Sequence, residues 1–116
     1  MKRFLIQSFC ILLLLSCDSG NKPDGLLPQD KMVEVLIDIH LTEGVMSAMP
    51  VSYDSSKVLY NLLEMDVFLK HEVSDSVFTQ SMLYYLRDPG EMERIYSRVI
   101  DSLTVREAAD GIIDEF

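Results

Sequence analysis

From Pro28 to about Ala48, apolar residues return every three or four positions. Met32, Val33, Leu36, Ile37 and Ile39 share one broad side of a helical wheel, with Lys31, Glu34 and Asp38 on the other. Pro28 suits a first helical turn, and Met49-Pro50 ends the segment. A second helix is expected from about Asp54 to His71, capped by Ser52 or Asp54. Its apolar stripe reads Val58, Leu62, Met65 and Leu69, with Leu59 and Leu63 alongside. After the turn Glu72-Val73-Ser74-Asp75, a third helix is expected to be capped by Ser74 or Asp75. It directs Val77, Phe78, Met82 and Tyr85 inward. Asp88-Pro89-Gly90 is a break. The fourth helix starts near Glu91, carries Met92, Ile95, Tyr96, Val99, Ile100 and Leu103 on one face, and frays after Ala109. No repeat, low-complexity tract or strand-like alternation interrupts this reading. The expected fold is all-α, a compact bundle of about four helices joined by short loops.

The chain ahead of the helices has a different pattern. Lys2 and Arg3 precede a mostly apolar stretch, Phe4 to Leu15, and then Leu14-Leu15-Ser16-Cys17. A basic start, a short apolar region and a small residue make a secretory signal. About 12 apolar residues fall short of the roughly 20 that a spanning helix needs. Ending in Leu-Leu-Ser-Cys, the segment resembles a bacterial lipoprotein signal, cleaved after residue 16. That resemblance implies a lipidated Cys17 at the new N-terminus, with two or more acyl chains, palmitate among those expected, where one alone would hold only marginally. The implied partner is the lipid bilayer, and the implied location the cell envelope. Asp18 resembles a retention signal of some bacteria. Inner and outer membrane stay open.

Composition narrows the classes further. Cys10 and Cys17 are the only cysteines. One leaves with the signal and the other is capped, so no disulfide or cysteine metal site is expected. Cleavage removes two positive charges and moves the net charge from −9 to −11. Without a basic cluster, nucleic acid is an unsuitable partner, and flat docking on anionic lipid is disfavoured. Residues 17–27, with Gly20, Asn21, Pro23, Asp24 and Gly25, read as lipidated cysteine plus flexible tether. Ten such residues span roughly 18 Å. Residues 28–109 are then the helical domain and 110–116 an acidic, mobile tail.

Few residues offer chemistry. His40, Glu43 and Ser47 lie within the apolar side of the first helix. A His and a Glu three apart can share a proton or a metal, or form a satisfied structural pair. A metal site needs three or four ligands, and the only other histidine is His71, at a helix end where a cation is favourable. Asp66 falls on the apolar side of the second helix and needs a hydrogen-bond partner there. Of the adjacent Tyr84 and Tyr85, one packs inward. Tyr84 is left half-exposed and is a candidate contact for a partner. Six of the seven methionines survive cleavage and read mostly as gap-filling core residues. No phosphate loop, nucleophile triad or paired catalytic carboxylates occur, and no cofactor is expected.

Two stretches resemble a known family. Met32-Val33-Glu34-Val35-Leu36-Ile37-Asp38-Ile39-His40-Leu41-Thr42-Glu43 is similar to the first helix of the domain of unknown function 4296 family, small lipoproteins of Bacteroidota. Lys70-His71-Glu72-Val73, Phe78, Ser81, Tyr84-Tyr85, Pro89, Ile95-Tyr96, Val99 and Leu103 resemble its second half. The resemblance implies a helical lipoprotein and carries no activity. The expected role is a non-enzymatic, membrane-anchored interaction or assembly module acting on an envelope protein. The alternative is a small hydrolase or metal-dependent enzyme using His40, Glu43 and Asp66. The candidate residues for partner contact are His40, Glu43 and Tyr84.

Overall fold

A computed structural model describes residues 21–113, with side chains through Asp110. The expected signal segment, the expected lipidation at Cys17, and residues 114–116 lie outside this range. Four helices follow in order: α1 (Gln29–Ala48), α2 (Tyr53–Lys70), α3 (Asp75–Tyr85) and α4 (Pro89–Ile113). No strand occurs among the described residues.

Local chemistry sets the helix ends. The Ser52 hydroxyl caps α2 by accepting from the Ser55 N–H at 3.4 Å, and Ser74 caps α3 by accepting from Val77 at 3.3 Å. Asp88 caps α4, accepting from the N–H groups of Gly90 at 2.9 Å and Glu91 at 3.2 Å. The helix therefore opens at Pro89, where a missing N–H costs nothing, two residues earlier than expected. It also continues to Ile113, past the expected fraying point at Ala109. The C-terminus of α2 closes with two reverse hydrogen bonds, Glu72 N–H to the Leu69 carbonyl and Val73 N–H to the Phe68 carbonyl. Glu72 takes the left-handed conformation at φ 55°, a position that usually holds glycine.

The central element is α1. Met32, Val33, Val35, Leu36, Ile37 and Ile39 are all buried, so apolar side chains face more than one neighbour. Met32, Val33, Leu36 and Ile37 join Tyr85 of α3 and Met92, Ile95 and Val99 of α4 in one core cluster. Val35 and Ile39 turn the other way and pack with Val67, Phe68 and Val73. Helix α2 thus packs mainly through one side on α1.

That arrangement overturns the expected inner face of α2. Val58, Leu62, Met65 and Leu69 are exposed, between 54% and 70%. The inward residues are Val67 and Phe68, with Leu59, Tyr60 and Leu63 half-buried. Ile100, expected inside, is exposed as well.

The start of the domain also differs from a tether running through Leu27. Leu26 and Leu27 pack against the main core cluster. The buried Ser81 hydroxyl accepts from the Leu27 N–H at 3.0 Å and donates to the Val77 carbonyl at 2.8 Å. The Tyr85 hydroxyl donates to the Leu27 carbonyl at 2.7 Å. Ser81 and Tyr85 are one turn apart on α3, so both peptide groups of Leu27 are held by one helix face.

Candidate functional site

His40 and Glu43 meet as expected, with Nδ1 and Oε2 2.9 Å apart. Their surroundings are wetter than the sequence implied. The side chains are 33% and 47% exposed, at the rim of α1 rather than in a dry packing layer. Tyr60 of α2 donates its hydroxyl to the other Glu43 oxygen at 3.4 Å, and the His40 ring tilts against Tyr96 of α4 at 5.9 Å between centroids. Ser47 does not join the pair, since its hydroxyl bonds the Glu43 backbone carbonyl. Burial, then the charges of Glu64 and Glu43, push the Tyr60 hydroxyl up to about 12. Burial, then the charges of Asp75 and Glu43, also raise the Glu64 carboxyl. The patch is a locally negative surface with Tyr60 as a hydrogen-bond donor.

Asp66 is not part of it. Exposed on α2, it makes no hydrogen bond or ion pair among the described residues, contrary to the expectation of a partnered carboxylate. It borders a shallow groove with Leu41, Val45 and Leu63 instead. His40, Glu43 and Asp66 therefore do not converge. Among the described residues no group of three or more metal-binding side chains is assembled.

A second polar centre escaped the periodicity reading. Asp38, assigned to the outer side of α1, faces the end of α2. Its Oδ2 lies 2.7 Å from both the His71 Nε2 and the Lys70 Nζ. The Asp38 and His71 side chains are only 15% and 11% exposed. Glu34 reaches the other His71 nitrogen at 4.0 Å, and Arg106 of α4 comes within 4.0 Å of the second Asp38 oxygen. Burial raises the Asp38 carboxyl, but hydrogen bonds and charge from Lys70 and His71 outweigh it and hold the group below its ordinary value. The centre ties α1, α2 and α4 together. The signal for it was present: Asp38 and Lys70-His71 lie in the two stretches that carried the family resemblance.

Tyr85 is buried and Tyr84 half-buried, their rings edge to face at 5.5 Å. Tyr84 lines a cleft of about 620 Å³ between the segment preceding α1 and the junction of α3 with α4.

Comparison with known proteins matches residues 23–109 to one family model, described as domain of unknown function (DUF4296). No curated protein and no solved structure matches the chain. The matched range begins at Pro23, just ahead of the Leu26–Leu27 clasp, and covers all the packed parts of the helices.

Proposed function

For a chain that belongs to the domain of unknown function 4296 family, we propose the role of a lipid-anchored, non-enzymatic interaction module of the bacterial cell envelope. The observation that carries this reading is the outer face of α2. Val58, Leu62, Met65 and Leu69 make a stripe about three turns long, opposite the side that packs on α1. An exposed apolar stripe of this length on a small domain is a typical interaction surface. A helix of an envelope protein, with apolar positions at the same spacing, is the occupant that fits. The lipoprotein-like Leu14-Leu15-Ser16-Cys17 supports anchoring, and no described helix is long and apolar enough to cross a membrane. The separation of Asp66 from His40 and Glu43 removes the geometric support for the enzyme alternative.

The test has two parts. Palmitate labelling of the wild type, lost in Cys17→Ala, supports the anchor, and labelling unchanged in that variant refutes it. A photo-crosslinker at position 62 should give an adduct with one envelope protein, and the same group at exposed Asp101 should not. Adducts only with lipid, only with a second copy, or equally from both positions would overturn the assigned partner.

A further inference from the structure

The chain is acidic, yet two of its cations stand without a counterion in one place. Among the described residues Lys31, Lys70, Arg94, Arg98 and Arg106 each contact a carboxylate. Lys22, Lys57 and Arg87 do not. Lys22 and Arg87 both line the 620 Å³ cleft, together with Tyr84.

The acids of the same cleft are engaged in part, Asp88 through Oδ1 alone. Asp88 accepts from the backbone of Gly90 and Glu91. Glu91 is held by Gln29 and Arg94. The Tyr85 hydroxyl is committed to Leu27, whereas the Tyr84 hydroxyl donates to nothing among the described residues. The donors left unengaged are an ammonium, a guanidinium and a phenol, around a concave space walled by Leu26 and the tyrosine rings; the second Asp88 oxygen is the one free carboxylate acceptor beside them.

We propose that this cleft binds a phosphate group carried on a small organic moiety. Guanidinium takes two phosphate oxygens side by side, ammonium adds a point charge, and the phenol serves a third oxygen. A phosphate offers each donor its own oxygen and carries up to two negative charges, whereas a carboxylate must share two oxygens and one charge among the three. The phosphate has two possible sources, a free phosphate ester or the headgroup of a phospholipid. The lipid source rests on the proposed anchor. Lys22 is five residues from Cys17, a reach of at most about 17 Å, so an anchored chain holds the cleft beside the headgroups. Tethering supplies a local concentration in the millimolar range, which offsets the repulsion between an acidic domain and anionic lipid.

The experiment uses the full chain, isotope-labelled and held in an uncharged detergent. Titration with glycerol 3-phosphate should give saturable amide shifts at Lys22, Tyr84 and Arg87. The double variant Lys22→Gln/Arg87→Gln should weaken binding about tenfold or more. Lys57→Gln, which removes the third unpaired cation elsewhere, should bind as the wild type does. A parallel measurement compares hydrogen exchange of residues 84–91 on bilayers of phosphatidylcholine with and without phosphatidylglycerol. Slower exchange that depends on phosphatidylglycerol and on both cations identifies the lipid as the source. A response to the soluble ester alone identifies a free phosphate ester. An equal response to acetate, a response unchanged in the double variant, or no response in either arm overturns the proposal. Loss of the chain from bilayers with the soluble response intact refutes the anchor and leaves the phosphate site standing.

Discussion

The Tyr85 hydroxyl donates to the Leu27 carbonyl at 2.7 Å across 58 residues of sequence. With Ser81 on the Leu27 N–H, it turns the entry to α1 into part of the packed domain. Tyr85→Phe leaves that carbonyl without its partner in a half-dry site, and Ser81→Ala does the same to the N–H. Each should cost about 1–2 kcal/mol. Because both act on one residue, the double variant should lose less than the sum. Thermal melts give the energies. Exchange of the Leu27 amide should speed up in Ser81→Ala before the rest of the domain opens. An unchanged Leu27 amide would show that the clasp does not restrain the entry segment.

The Asp38–His71 contact should matter more to stability than His40–Glu43, although the sequence favoured the latter. Asp38→Asn takes the carboxylate from Lys70 and leaves the mostly buried His71 with only Glu34, at 4.0 Å, as a charged neighbour, at about 1–3 kcal/mol. His40→Ala opens only a half-exposed pair and should cost about 1 kcal/mol or less. The reverse order in thermal midpoints would contradict the assignment of the structural centre.

Asp38 also sets an acid limb. Its carboxyl is held below 3.8 in the folded chain, so the folded state favours the charged form. The stabilisation is complete above 3.8 and is lost as pH falls through the lower folded value. A pH series of melts should show a smaller loss below pH 3.8 in Asp38→Asn than in the wild type. Parallel acid limbs would assign the dependence to other carboxylates.

Glu72 occupies a left-handed position at φ 55° that glycine adopts without a Cβ penalty. Its side chain is exposed, and its backbone N–H closes the α2 terminus. Glu72→Gly should therefore stabilise the domain by about 0.5–1 kcal/mol, a rise of several degrees in the thermal midpoint for a domain of this size. A lower midpoint would mean that glycine's added freedom in the unfolded chain outweighs the relief.

The two faces of α2 should respond unequally to substitution. Leu62→Gln on the outer stripe should change stability by no more than about 0.5 kcal/mol. Phe68→Ala on the inner side removes a buried ring packed at 5.3 Å on Phe78 and should cost about 3–5 kcal/mol. Denaturant midpoints decide between them. A large loss in Leu62→Gln would return the stripe to the core.

What the chain determines locally was legible in its sequence. Ser52 and Ser74 start helices because a side-chain oxygen meets N–H groups two or three residues away, an interaction that needs no other part of the protein. Most of the buried positions of α1 and α4 were legible for a related reason, since their apolar residues recur at helical spacing and no second apolar stripe competes with them, Ile100 being the exception. Helix α2 has two. Val58, Leu62, Met65 and Leu69 satisfy helical periodicity as well as Leu59, Leu63, Val67 and Phe68 do, and nothing within eighteen residues chooses between them. The choice belongs to α1, whose Val35 and Ile39 offer a complementary surface to only one. The same docking turned Asp38 from a solvent-facing residue into the partner of His71, and closure of α3 over the entry segment gave Leu27 its hydrogen bonds. Those pairings join residues 33 to 58 positions apart. They exist only once packing has removed water from between the helices, which is why periodicity within a single helix does not contain them.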